Sequence, residues 1–168
     1  MRERRLNPKG FALIEMLAVV AIIGILLVMA YPNIRNSLET RNLENNAREI
    51  LTTLQQTKFM AVRLKLNHRL QFDNSQGYWT YYVQREVSYQ NWVEVPGSIR
   101  KYIPGKFVIT INVPNNVVVF SPLGMVTNYS VTQHNVSLQS TVLQRQAQPS
   151  TRAINIFAGG SIQYVKST

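Results

Sequence analysis

Glu15 is the side chain whose position most constrains the chemistry of this sequence. It is the one charged residue between Phe11 and Tyr31, in a run that is otherwise almost entirely apolar. A carboxylate inside a membrane helix costs roughly 2.5–3.5 kcal/mol at full depth and less near the interface, so it needs a partner. A cleavage after Gly10 would supply one, because the freed amino group of Phe11 on one copy would neutralise Glu15 of a neighbour. The pattern indicates charge pairing during assembly.

The element that must position Glu15 is an apolar helix. At about 1.5 Å per residue, the run from Phe11 to Tyr31 spans roughly 30 Å as a helix, which is the hydrocarbon thickness of a bilayer. The leader before it, residues 1–10, contains four bases and one acid, namely Arg2, Arg4, Arg5, Lys9 and Glu3. Since basic flanks stay in the cytoplasm, we predict a single membrane pass with the remainder of the chain outside.

Two simpler explanations of the apolar run stay open. An ordinary secretory signal peptide has a charged start, an apolar core and small residues near its cleavage site, here near Ala30. Its core usually spans about 7–15 residues, which is shorter than this run. A plain membrane anchor explains the length but not the combination of Gly10, Phe11 and Glu15.

The segment KGFALIEMLAVVAIIGILLVMAYP closely resembles the N-terminal signature of type IV pilins and type II secretion pseudopilins. The resemblance implies that prepilin peptidase cuts after Gly10 and methylates the new N-terminus, Phe11. It also implies that Glu15 is the assembly carboxylate and that the other partners are pilin or pseudopilin subunits of a helical filament. It implies no cofactor.

A second, amphipathic helix is predicted after the apolar run. Pro32 is expected to kink the helix where that run ends. Beyond it, apolar residues recur at spacings of three and four, at Ile34, Leu38, Ala47, Ile50, Leu51, Leu54, Ala61 and Val62. The predicted segments are therefore a leader over 1–10, a transmembrane and assembly helix over 11–31, an amphipathic helix over 32–66 and an antiparallel β-domain over 67–168.

The β-domain is predicted from alternating apolar residues and from turn residues. Roughly six to eight short strands are expected. Type II turns are expected over 95–98 and 103–106, where Pro and then Gly take the central positions. Residues 145–152 should form a polar surface loop, and Gly159 with Gly160 a primed hairpin turn. The fold class is α+β and pilin-like, a long N-terminal helix packed on an antiparallel sheet or sandwich.

Two C-terminal segments narrow the resemblance. VVFSPLGMVTN and the later RAINIFAGGSIQYVK resemble the paired C-terminal segments of the GspH/FimT branch, through Phe120, Gly124, Ile154, Ile156 and Gly160. The likeness implies a minor pseudopilin or minor pilin, in a type II secretion pseudopilus or a type IV pilus. Before assembly, such a protein is held in the bacterial inner membrane, with its C-terminal domain in the periplasm or outside.

The charge of the chain is distributed unevenly. Its 18 bases and 8 acids become 14 and 7 once residues 1–10 are removed, which leaves a net charge of +7. No acid follows Glu94, whereas six bases do: Arg100, Lys101, Lys106, Arg145, Arg152 and Lys166. A surface of one sign attracts polyanions, so DNA binding for uptake is the alternative function. The DNA-binding members of the FimT type use arginines after the final glycine, where this chain has Lys166 alone.

An enzyme is not expected from this sequence. His68 and His134 lack the spacing of a helical zinc pair, and both are expected at the surface. There is no phosphate-binding glycine loop or nucleophile elbow, and the lack of cysteine excludes thiolate metal sites. A membrane-anchored enzyme stays a remote alternative, which predicts a polar, partly buried cluster around one of the histidines.

Overall fold

The computed structural model describes residues 13–167, and these divide into two compact units between Leu38 and Glu39. Gly10 and Phe11, at the predicted cleavage and methylation site, lie outside the described residues. Helix α1 begins at Leu13 and ends at Leu64, so both units contain part of it. Pro32 lies inside α1, and the helix continues on both sides of it; the kink expected at Pro32 stays a prediction.

The first unit is an exposed apolar helix. Its large apolar side chains, from Leu13 to Leu38, are between 45% and 81% exposed. The Ala, Leu and Met residues of this segment favour a helix. A helix also satisfies its own backbone hydrogen bonds, which an apolar surrounding requires. This part of the chain therefore has an apolar surface that its own unit does not bury.

In the second unit, the described residues form nine strands and two short helical segments after α1. The strands are β1 (His68–Asp73), β2 (Thr80–Ser88), β3 (Asn91–Glu94), β4 (Lys101–Tyr102), β5 (Phe107–Asn112), β6 (Val117–Phe120), β7 (Asn135–Ser140), β8 (Thr151–Ile156) and β9 (Ile162–Ser167). A 3₁₀ turn covers Pro114–Asn116, and helix α2 covers Thr141–Arg145.

The strands form two antiparallel sheets. The first has the order β3-β2-β1-β6, with β4 also pairing with β2, and the second has the order β5-β7-β8-β9. In the first sheet Leu70 lies opposite Val83 and Val118, and all three are buried. Strands β7 and β8 alternate between buried and half-buried residues, as expected of sheets with one face on a core.

The second half of α1 covers this core. Its buried residues recur every three or four positions: Leu43, Ala47, Ile50, Thr53, Leu54, Thr57 and Ala61. The hydroxyls of Thr53 and Thr57 donate to the helix carbonyls four residues earlier, at 2.8 and 2.7 Å, so these polar groups are satisfied in the core. The predicted stripe was wrong at Ile34, Leu38 and Val62, which are 59%, 56% and 37% exposed.

One of the two expected type II turns is present. Ser98 N donates to Val95 O at 2.9 Å, and Gly97 has φ +79°, which confirms the turn over 95–98. The turn expected over 103–106 is wrong, because Gly105 does not have a positive φ and Phe107 N donates to Pro104 O at 3.1 Å. The observed turn covers residues 104–107, one residue later than predicted.

The C-terminal hairpin has a wider turn than predicted. Gly160 N donates to Phe157 O at 2.8 Å, and Gly160, but not Gly159, has a positive φ. A primed two-residue turn would need a positive φ at the first central position. The loop is instead a four-residue turn that Gly160 closes.

The polar loop predicted over 145–152 is confirmed for residues 146–150, which connect α2 to β8, while its first residue ends α2 and its last two begin β8. Ser140 is the N-cap of α2, where its hydroxyl accepts a hydrogen bond from Leu143 N at 3.5 Å. Leu143 is fully buried, and β8 already begins at Thr151. The sequence did not predict α2 itself, because a short helix with one buried leucine has too little periodicity to be recognised.

Candidate assembly site

Glu15 lies in the first described turn of α1, and its residue is exposed. Glu15 has no hydrogen bond or ion pair within residues 13–167. The arrangement is an unpaired acid on an exposed apolar helix, which suits a cationic partner supplied by another molecule.

By length and composition, α1 is the one helix in the described part of the chain that could cross a membrane. None of its most apolar window is buried within the protein. A core helix of a soluble domain would be mostly covered by its own chain, and this segment is not. The exposed apolar half of α1 is therefore a candidate for contact with lipid or with other apolar helices.

Arg100 is the first of the six basic residues that the sequence singled out as polyanion-binding. Its guanidinium forms an ion pair with Glu94, lies 3.9 Å from a carboxylate oxygen of Asp73 and lies 3.9 Å from the centre of the Tyr82 ring. The hydrogen bond to Glu94 raises the pKa of Arg100. One backbone and one side-chain hydrogen bond from Ser75 lower the pKa of Asp73.

Two lysines of the set pair with acids on α1. Lys101 Nζ lies 3.1 Å from Glu49 and 3.2 Å from the hydroxyl of Thr53. Lys106 Nζ lies 3.0 Å from Glu39, whose other oxygen accepts a hydrogen bond from Ser140 at 2.9 Å. These contacts tie the second half of α1 to both sheets.

Arg152 is a buried cation and not a surface one. Its side chain is 2% exposed and donates to the carbonyls of Pro149 and Thr151, both at 3.0 Å. It also lies 3.4 Å from Glu44, which pairs with Lys166 as well. The hydrogen bond from Lys166 is the largest cause of the lowered pKa of Glu44. The expectation that Arg152 contributes to a polyanion surface is corrected, because a side chain this buried offers no area to a ligand.

Arg145 is the one member of the six that has no ion pair within residues 13–167. It lies in the last turn of α2 and is exposed. The other five face carboxylates of the same unit, so their charges are already partly neutralised. Polyanion binding by these six residues stays a prediction. The positive charge available for it is smaller than the sequence suggested.

The two histidines are packed among other groups. His68 is fully buried, with Nδ1 2.9 Å from the carbonyl of Leu66, so the expectation of a surface position was wrong for it. His134 is half-buried between the rings of Tyr129 and Phe157, with centroids 6.1 and 6.4 Å away. Among the described residues, no group of three or more His, Cys, Asp or Glu side chains could hold a metal ion.

One contact that the sequence did not predict joins three distant segments. Lys58 Nζ donates to Gly160 O at 2.9 Å, and Gly124 lies against the side chains of Lys58 and Val62. A Cβ atom at Gly160 would overlap the carbonyl oxygen of Gly124. Both glycines have a positive φ, at +75° and +76°. The two glycines that carried the likeness to the GspH/FimT branch thus pack against each other.

Comparison with known proteins bears on both units. Residues 5–31 match the family described as the prokaryotic N-terminal methylation motif. The structure is similar to a crystal structure of the type IV minor pilin FimU from Pseudomonas aeruginosa PAO1 in space group P21, with a TM-score of 0.53 at 14% identity over 76% of this chain and 90% of that chain. FimU in space group P65 gives 0.49 at 14% identity over 73% and 92%. No curated protein sequence gives a significant match.

The likeness to FimU in space group P21 shows the fold, a long N-terminal helix with antiparallel sheets, and confirms the predicted pilin-like α+β class. Processing by prepilin peptidase and assembly with other pilin subunits stay predictions. The apolar helix and the motif are consistent with membrane anchoring. The chain thus combines a match to the prokaryotic N-terminal methylation motif over residues 5–31 with a fold similar to that of a type IV minor pilin.

Proposed function

We propose that this chain is a minor pilin or pseudopilin subunit of the GspH/FimT class, in a type IV pilus or a type II secretion pseudopilus. The observation that carries the proposal is the exposed apolar half of α1 with Glu15 on it. The unit 39–167 has its own core, so the exposed helix is free for another role. Membrane anchoring followed by filament assembly uses that surface twice.

The mechanism is mechanical and not catalytic. Cleavage after Gly10 frees the amine of Phe11, and methylation leaves it able to carry a positive charge. The helix starts in the cytoplasmic membrane, with the β-domain in the periplasm, and then moves into a fibre core of packed apolar helices. Glu15 sets the register there, because a charge without a partner is penalised in a medium of low dielectric constant.

The processing step is tested directly on the protein. Co-expression with a prepilin peptidase should yield a chain that begins at Phe11 and carries one added methyl group, as read by mass spectrometry of the intact protein. Gly10→Val should block the cleavage, whereas the matched variant Gly24→Val should be cleaved normally. Cleavage near Ala30 would instead identify a secretory signal peptide and contradict the proposal.

The assembly role of Glu15 is tested by Glu15→Ala. The variant should insert into the membrane and be processed, but its share in sheared filaments should fall by about tenfold or more, since its partner amine is left unpaired. Leu17→Ala, two residues further along the same exposed helix, should lower incorporation much less, because it removes some contact area but leaves no charge without a partner. Normal incorporation of Glu15→Ala would remove the assembly role.

The pairing of the basic residues speaks against DNA uptake through the six-residue set. Five of its members face carboxylates within the described chain, and Arg152 is buried. Counterion release, which drives binding to phosphates, needs cations that are free to replace the counterions. The filament subunit is the function that the arrangement supports best.

A further inference from the structure

Every acidic side chain described in the second unit takes part in an ion pair or a hydrogen bond. Within residues 39–167, Glu39, Glu44, Glu49, Asp73 and Glu94 form ion pairs. Glu86 accepts hydrogen bonds from the side chain of Asn67 at 2.6 Å and from Gln90 N at 2.9 Å. A molecule that brings cations to this unit therefore finds its carboxylates occupied.

Three arginines on the outer side of α1 have no carboxylate partner among residues 13–167. Arg41, Arg48 and Arg63 are exposed, and none of them forms an ion pair within residues 13–167. At 100° per residue they lie on the side of the helix opposite the buried stripe around Leu54. Arg48 is partly held by the ring of Tyr164, whose centroid is 5.0 Å away. We call Arg41, Arg48, Phe59 and Arg63 the outer face of α1.

Phe59 lies on this face between two apolar grooves. Its side chain is 62% exposed. One groove, of about 390 Å³, runs towards the loop after β3 and is lined by Met60, Val95 and Ile99 among others. The other, of about 370 Å³, runs towards the C-terminal hairpin and is lined by Val62 and Ile162. An exposed ridge flanked by grooves on both sides can interlock with a partner surface of complementary shape.

We propose that the outer face of α1 docks a different pilin subunit, one whose contact surface combines apolar side chains with unpaired carboxylates. This inference rests on the proposed function, because it takes the partner from the same filament. Arginine and aromatic residues are the types enriched at the centre of protein interfaces. The apolar grooves beside Phe59 fit a protein side chain and have no use for a phosphate backbone, which favours a protein over a nucleic acid.

A second copy of this chain is the wrong partner for the outer face. The acids of its second unit are engaged, and Glu15, the remaining carboxylate among the described residues, belongs to the apolar segment. Two copies that meet through Arg41 and Arg63 would bring like charges together, which disfavours the contact. The face therefore favours a different subunit over a second copy of this chain.

The test uses a photo-crosslinking amino acid in place of Phe59, in the full chain and in its own cells. Illumination should give a heterotypic adduct, and mass spectrometry of the linked peptide should identify a protein with its own prepilin motif and an excess of Asp and Glu at the contact. The same amino acid in place of Tyr89, which is 89% exposed on the β2–β3 hairpin, is the control position. A predominantly homotypic adduct at position 59, or no adduct in a chain that enters filaments normally, would overturn the proposal.

Charge reversal separates the outer face from net charge. Arg63→Glu should lower the yield of the heterotypic adduct by about tenfold. Arg145→Glu is the matched control, because both arginines are exposed in the last turn of a helix and lose the same favourable dipole contact. Equal loss in the two variants would show a general charge effect and contradict a specific face. Cleavage after Gly10 should be normal in both, so failure of this inference is distinguishable from failure of the proposed function.

Nucleic acid is the remaining outcome. The full chain in detergent micelles is titrated with labelled double-stranded DNA at low and high salt, where phosphate binding would weaken steeply as salt rises. We expect no difference between wild type and Arg41→Glu/Arg63→Glu. Tight, salt-sensitive binding that this double variant loses would assign the face to DNA instead of to a protein.

Discussion

The two halves of α1 use the same helical backbone for opposite purposes. Before residue 39, the large apolar side chains are exposed, and Glu15 has no partner among the described residues. From residue 39 onward, the apolar side chains on one face are buried, and each acid is paired with a cation of the sheets. The first half keeps its binding capacity for other molecules, whereas the second half uses it within the chain.

The difference between the halves teaches where stability and assembly reside. Substitutions in the second half should change the free energy of unfolding, and substitutions in the first half should change insertion or assembly. Each prediction below compares two variants. One variant changes the second half of α1 or a residue that contacts it, and the other is a matched substitution elsewhere. All unfolding measurements refer to the full chain in detergent micelles.

Leu54→Ala should have the largest effect. Leu54 is fully buried, so the truncation should lower the free energy of unfolding by about 2–5 kcal/mol through lost burial and a cavity. Leu26→Ala, in the first half, removes a side chain that is 59% exposed and should leave unfolding almost unchanged. Chemical denaturation followed by circular dichroism measures both. Equal losses would show that the two halves are one cooperative structure.

Arg152→Ala should have the next largest effect and lower the free energy of unfolding by about 2–3 kcal/mol. The variant removes two hydrogen bonds to buried carbonyls and the contact with Glu44. Arg145→Ala, at an exposed site seven residues earlier in the chain, should cost less than about 0.5 kcal/mol. The comparison requires only melting curves. An equally mild Arg152→Ala would show that this arginine is a surface residue after all.

Gly160→Ala should cost about 1–3 kcal/mol, because its φ is +75° and a Cβ would overlap the carbonyl of Gly124. Gly24→Ala, in the first half, meets nothing within 4 Å and improves helix propensity. We expect a lower melting temperature for the first variant and an unchanged or higher one for the second. A stable Gly160→Ala would mean that the hairpin can move away from Gly124.

The smallest effect concerns Glu44 and is dependent on pH. The pKa of Glu44 in the folded protein is lower than its ordinary value of 4.5, so its contribution to stability is complete above pH 4.5 and is lost as the pH falls through the folded-state pKa. Between pH 7 and pH 3, wild type should lose roughly 0–1 kcal/mol more than Glu44→Gln. Glu15→Gln, in the first half, should follow the wild-type curve. Identical curves for wild type and Glu44→Gln would show that the pair with Lys166 adds no stability.

Features that depend on local periodicity were predictable from the sequence. In strand β1, Leu70 and Phe72 alternate with polar residues, and both are buried, as such alternation indicates. Ala47, Ile50, Leu54 and Ala61, which were predicted on the apolar stripe of α1, are also buried. Ile34 and Leu38 were misassigned because spacing shows which residues share a face of a helix, but not whether another element covers that face.

The charged positions show what the sequence could not predict. An arginine in a polar stretch such as RQAQPSTR is normally exposed, and Arg152 is buried because Glu44, 108 residues earlier, meets it. The basic C-terminal half suggested free cations there, but five of its six bases face carboxylates, whereas Arg41, Arg48 and Arg63 on the outer face of α1 form no ion pair within residues 13–167. Net charge along a sequence does not show which charges cancel in space.

The contact between Lys58 and Gly160 also bears on how the unit forms. These residues are 102 positions apart, and the contacts Glu39–Ser140 and Glu44–Arg152 span 101 and 108 positions. Long sequence separations slow folding, because a large loop must close before the contact contributes. During synthesis, the second half of α1 emerges early and must wait with its apolar face uncovered until the last hairpin leaves the ribosome. During this interval, the exposed apolar face of the helix is open to non-native contacts and aggregation.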